Sequence, residues 1–157
     1  MTKEKINEYT LKITQSSKTQ LIVVLYELAQ EYICEAKKAH ANNNHDDYRT
    51  ECTNAVRVIQ DLIDSLDFSY EISMPLYRIY EYMTREISMA VIRNKTEGLD
   101  AVDRYLNSLK SSFETVAKQD TGGPLMGNTQ SVYAGLTYGR GVLNENISGN
   151  GNRGYKV

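Results

Sequence analysis

The chain has 157 residues, enough for one domain with its own core. It has no tryptophan and two phenylalanines against twelve tyrosines, so the core must come from Leu, Ile, Val, Met and Ala, with tyrosine at its margins. A formal net charge of −2 gives no electrostatic case for nucleic acid or an anionic membrane as partner.

Residues 1–16 read as an N-terminal arm or short helix, with Ile6, Tyr9 and Ile13 as its apolar residues. Its opening, MTKEKINEYTLK, is polar and lacks the apolar run of a signal peptide. Four helical patterns follow. The first covers about Lys18–Ala41. Ser17 and Gln20 have the spacing of a capping box, in which hydroxyl and amide side chain satisfy each other's backbone N–H. The run AHANNNHDD ends this helix, because Asn and Asp favour turns. Its expected core stripe is Leu21, Leu25, Leu28, Tyr32, Ala36 and Ala39. A second apolar line, Ile22, Tyr26 and Ile33, lies about 100° around the helix. The second pattern covers about Asp47–Leu66, with Asp46 as N-cap and a stripe of Tyr48, Cys52, Ala55, Val56, Ile59, Leu62, Ile63 and Leu66.

The third pattern covers about Tyr70–Asn94, with Pro75 in its first turn or at a kink. Its stripe is Ile72, Leu76, Ile79, Met83, Ile87 and Ala90. Tyr80 sits at the edge of that stripe, while Tyr77 and Tyr82 fall on opposite flanks. The fourth covers about Glu97–Lys118, with Asn94 or Thr96 as cap and Leu99, Val102, Leu106, Leu109, Phe113 and Val116 as stripe. Four helices of similar length with short connections predict an all-α, antiparallel up-down four-helix bundle over residues 17–119. Residues 120–157 hold nine of the ten glycines and little helical periodicity, and read as a Gly/Asn-rich, disordered tail.

Residues for chemistry are scarce. His40 and His45 flank the first turn beside Asp46 and Asp47, which admits a metal site or an exposed turn. A di-metal bundle site would want Glu three residues before each His, and neither has it. The glycines do not form a phosphate loop, and nothing in the sequence places an activating group beside Cys34. Neither an enzyme nor a cofactor is expected. Cys34 and Cys52 read as reduced thiols of a cytosolic protein. The longest apolar run, Leu21–Tyr26, is too short to cross a bilayer, so no membrane insertion is expected.

The first and third helices carry more apolar surface than one stripe needs. One account is that each touches two neighbours inside the bundle. The other is that the flanking Tyr and Met residues line a groove for an amphipathic segment of another chain, since tyrosine tolerates water at its tip and methionine adapts to varied contacts.

Particular residues sharpen this. Tyr9 precedes Gln15-Ser16-Ser17-Lys18, Leu21 and Leu25-Tyr26-Glu27-Leu28. The second helix ends Ser65-Leu66-Asp67. The third carries Glu71-Ile72, Pro75-Leu76 and Ile79-Tyr80-Glu81-Tyr82-Met83. In these runs, across about residues 6–118, the chain resembles the FliS family of flagellar secretion chaperones. Lys18 stands where the family has a helix-start proline, Glu27-Leu28 stands for Asp-Gly, and the family's Gly-Gly before Glu-Ile is absent.

The resemblance implies a cytoplasmic chaperone that binds the disordered C-terminal region of flagellin. It would prevent premature polymerisation and keep the subunit competent for export. Export-gate components are further implied partners, and the state is a monomer or weak homodimer. Carried over by position, Tyr26, Tyr80, Tyr82 and Met83 are the expected client-binding residues. Periodicity alone adds Ile22, Ile33 and Tyr77. Tyr9, with Ile6, looks like an arm that covers a groove until the client displaces it. The apolar residues of the tail are a second candidate cover, acting in cis. The alternative function is an adaptor for another amphipathic protein segment.

Overall fold

The first three helices each begin at a residue whose side chain accepts from a first-turn amide. The computed structural model describes residues 1–119 and 122–125; expectations for the rest of the tail lie outside the described residues. Helix α1 spans Lys3–Gln15, with the Thr2 side chain accepting from the Lys5 N–H. Helix α2 spans Lys18–Ala41. Its capping box forms as the sequence predicts: the Ser17 N–H donates to Gln20 Oε1 at 3.0 Å, and the Gln20 N–H returns to the Ser17 hydroxyl.

Helix α3 spans His45–Asp64 and starts two residues early. Asn44, not Asp46, is its cap and accepts from the Asp47 N–H at 3.2 Å. Asn43 makes this possible by turning the chain at φ 55°, a conformation Asn tolerates better than most residues. Asp46 and Asp47 then fall in the first turn, where carboxylates suit the positive helix end.

Helix α4 spans Ser73–Arg93, which puts Pro75 in its first turn, where its missing N–H breaks no helical bond. Asn94 ends α4 in the left-handed conformation (φ 51°) and so is not the cap of the next helix. Helix α5 spans Glu97–Ala117 and follows Thr96. A Cβ on Gly98 would come within 3.1 Å of the Glu86 backbone oxygen, so glycine lets α5 start close against α4.

Helices α2 to α5 form a ring in chain order, with α2 and α4 each lying between α3 and α5. Short connections make consecutive helices antiparallel, as expected for an up-down bundle. Helix α1 lies outside the ring against α2. None of the described helices is long and apolar enough to cross a membrane.

The core differs from the expected stripes in an instructive way. On α2 the fully buried residues are Tyr26, Ala29, Ile33 and Ala36, whereas Leu21, Leu25 and Tyr32 are only partly buried. A helix wedged between two neighbours buries the arc that bisects them, and here that arc takes Tyr26 and Ile33 from the second apolar line and Ala36 from the first, with Leu28 and Ala39 of the first also buried. The alanines on it leave room for the facing helices. Val58 joins the core of α3, and Tyr80 that of α4. Ile72, counted in the α4 stripe, precedes the helix and is exposed, as is Val116 near the end of α5.

Candidate functional site

Helix α1 supplies the first part of the site. Its sequence places Tyr9 and Ile13 on one side, and both pack against the bundle core. The Tyr9 hydroxyl reaches the Glu27 carbonyl at 3.5 Å, and the Lys12 ammonium lies 5.1 Å from the Tyr9 ring centre. Burial raises the Tyr9 pKa, with further help from Glu31 and Glu27. Lys5 pairs with Glu31, and Lys12 reaches Glu8 at 3.0 Å and Glu27 at 3.7 Å. Lys5 meets Glu31 and Lys12 meets Glu27, so α1 runs antiparallel to α2. Ile6 does not share in this: it is 46% exposed and covers nothing.

Beside α1 opens a groove of about 660 Å³. Its apolar lining is Val23 and Val24 of α2 with Ala117 of α5. Its charged lining is Lys12, Glu27, Glu114 and Lys118. Val23 and Val24 fall off both apolar lines of the α2 sequence, so periodicity gave no reason to single them out. Their one legible signal was being apolar where a solvated face would be polar. At the same end, the Leu125 N–H donates to the Ser16 carbonyl at 3.1 Å.

The other expected client-binding residues divide by depth. Tyr26, Ile33, Tyr80 and Met83 are 0–1% exposed, so in this packing they offer no surface to a partner. Tyr26 and Tyr80 meet instead across the centre of the ring, hydroxyl to hydroxyl at 2.5 Å. The Phe113 ring sits edge-on to Tyr26 at 5.6 Å. A buried phenol needs a polar partner, and the facing tyrosine provides it.

Ile22 and Tyr82 are partly buried against the core. Tyr82 stacks edge-on to Tyr105 at 5.4 Å, with the Arg85 guanidinium 5.6 Å from its ring centre. Tyr77 is partly exposed and donates to Glu81 at 2.6 Å.

The residues once open to a metal reading have a structural role. His40 Nε2 lies 3.0 Å from the Asn94 carbonyl, and His45 Nδ1 lies 3.2 Å from the Asn94 side-chain oxygen. Both fasten the turn between α2 and α3 to that between α4 and α5. Cys52 is buried, and that burial pushes its thiol up to about 11, leaving it protonated at neutral pH.

An α-helical ring with a strapped-on outer helix and an apolar-lined groove has the form of a module suited to holding another polypeptide. The family of such modules is identified by comparison. The model of the family described as flagellar protein FliS matches residues 2–120, and this chain belongs to that family. Its likeness to a curated relative agrees: the flagellar secretion chaperone FliS of Bacillus subtilis (strain 168) is 25% identical over 118 residues, 73% of this chain and 89% of that protein. The family is one of flagellar export chaperones, not enzymes.

Proposed function

We propose that the protein binds the C-terminal segment of flagellin in the cytoplasm, prevents its premature polymerisation and hands it to the flagellar export machinery. The observation that carries this reading is α1. Four helices already close the ring, so α1 is not needed to complete it, yet it lies along α2 as an amphipathic helix beside an open groove. An amphipathic client helix could take the same place through apolar anchors at i, i+3, i+4 and i+7. Part of what holds α1 is exposed or partly exposed ion pairing, which is worth little each and is readily exchanged; the rest is the packing of Tyr9 and Ile13 and the Met1 ammonium against the largely buried Glu51.

In this reading Tyr9 is the displaceable anchor. Ile22, Tyr77 and Tyr82 are the surface residues offered to the client. Tyr26, Ile33, Tyr80 and Met83 support the binding face from inside. A client that orders on binding spends part of its interaction energy on that ordering, so broad apolar contact is needed for useful affinity.

Titration of the full chain with a flagellin C-terminal fragment in a calorimeter tests the proposal. A stoichiometric complex that also co-elutes in gel filtration is expected. No heat together with no co-elution overturns it.

A further inference from the structure

The connection between α3 and α4 carries a second surface, none of whose residues lines the α1 groove. Its backbone is well bonded. The Ser69 N–H donates to the Asp67 carboxylate at 2.9 Å, and the Tyr70 N–H to the Asp67 carbonyl at 3.2 Å. The buried Ser73 donates its hydroxyl to the same carbonyl at 2.6 Å and its N–H to the Tyr70 carbonyl at 3.1 Å. A connection fixed this way holds its side chains where they are. What it holds in water is Phe68, Tyr70, Ile72 and Met74, exposed by 56%, 63%, 60% and 48%. Four such side chains within seven residues are a costly display for a surface with no partner.

The surroundings are acidic. Between Arg57 and Arg78 the chain has Asp61, Asp64, Asp67 and Glu71 and no Lys or Arg. The last turn of α3 also lacks a basic residue to offset its negative helix end. Opposing charge comes from Lys18 at the start of α2, which acts on Asp67, and from Arg85, which lines the adjoining groove between α3 and α4 together with Glu81.

The surface continues along the helices. Phe68 meets Tyr77 edge-on at 6.0 Å, and Tyr77 opens a groove of about 270 Å³ between α3 and α4 with Ile63 and Thr84 in its wall. The Thr84 hydroxyl is buried and has no hydrogen-bond partner among the described residues. Thr53, Ser88, Ser112 and Thr115 all bond back to the carbonyl four residues earlier, so this hydroxyl is an exception.

We infer that the α3–α4 connection, with Phe68, Tyr70, Ile72 and Met74 exposed and Asp61, Asp64 and Glu71 neighbouring them in the chain, is a docking surface for a cationic amphipathic segment of another protein. Apolar anchors of that segment would cover the four exposed side chains, and its Lys or Arg residues would meet the carboxylates. Such complementarity sets partner choice and on-rate, and makes binding weaken as salt rises. None of the four exposed residues lines the α1 groove; Tyr77, which Phe68 meets, is shared with the proposed client surface.

The test uses the full chain and two synthetic 18-residue helical peptides, one of leucine and lysine, the other of leucine and glutamate in the same pattern. Calorimetry should detect the lysine peptide, with affinity falling as salt is added, and hydrogen exchange should slow over residues 66–78. Two variants isolate the surface: Tyr70→Ser with Ile72→Ser and Met74→Ser, and Asp61→Asn with Asp64→Asn and Glu71→Gln. All of the apolar side chains changed are exposed. Each variant should keep the circular dichroism of the parent, weaken the lysine peptide at least tenfold and leave titration with the flagellin fragment unchanged. Equal binding of the glutamate peptide, or unchanged binding by either variant, overturns the proposal. Loss of flagellin-fragment binding would also overturn it by placing the connection in the client site. So would a change in sedimentation of the variants, which would make it a contact between copies of this chain.

Discussion

At the scale of single residues, the centre of the molecule rests on two hydroxyls. The composition suggested tyrosine at the margins of the core, yet Tyr26, Tyr48 and Tyr80 are among its most deeply buried side chains. Each solves the same problem locally. The Tyr48 hydroxyl donates to the Lys95 carbonyl at 2.7 Å, and Tyr26 and Tyr80 satisfy each other. A buried hydroxyl without a partner costs about 1–3 kcal/mol, whereas removing both members of a pair can be nearly neutral. Tyr26→Phe and Tyr80→Phe should therefore each lower stability by about 1–2 kcal/mol. The double variant should lose clearly less than the sum, as read from urea midpoints. Strict additivity would mean that the two hydroxyls do not interact. Helical spacing revealed that both rings lie near the apolar side of their helices. It could not reveal that they face each other, because the partner of each lies 54 residues away.

At the scale of elements, helix existence was largely legible, and capping was legible at Ser17, because that cap is local chemistry. The Ser17–Gln20 box was readable from two residue types at the right spacing, and it formed. The start of α3 departs from the expected Asp46 cap because the turn at Asn43 brings Asn44 into the capping position two residues earlier. Ser17→Ala should cost about 1 kcal/mol through loss of the side-chain acceptor for the first turn. Faster amide exchange should then be confined to the start of α2. Unchanged stability and exchange would show that the box contributes nothing beyond what water supplies. Helix α1 was legible as three apolar residues in a polar segment. That Tyr9 and Ile13 seat against the bundle while Ile6 stays in water followed only once α1 lay along α2.

At the scale of the whole molecule, the closed ring puts its ionisable phenols where only the neutral form is tolerated. Burial raises the pKa of Tyr26 and Tyr80 above the ordinary 10.0, and Tyr26 is raised further by its neighbour. Below pH 10 this contribution to stability is fully present. Above it, the unfolded chain releases protons that the fold retains, so stability falls by up to about 1.4 kcal/mol per pH unit for each such tyrosine. Alkaline titration should thus show tyrosinate absorbance from the exposed tyrosines first, and from the buried ones only as helical circular dichroism is lost. Full tyrosinate absorbance with intact helicity would contradict the packed centre. The sequence by itself determined the four bundle helices, their antiparallel order and the family, because periodicity, caps and the Tyr80-Glu81-Tyr82-Met83 run are properties of neighbouring residues. The tertiary structure alone decided that the N-terminal segment is a fifth helix against α2, how much of each apolar line on α2 faces inward and which aromatic residues remain at the surface. A helix can present an apolar arc to either side, and only the position of its neighbours selects the part that leaves water.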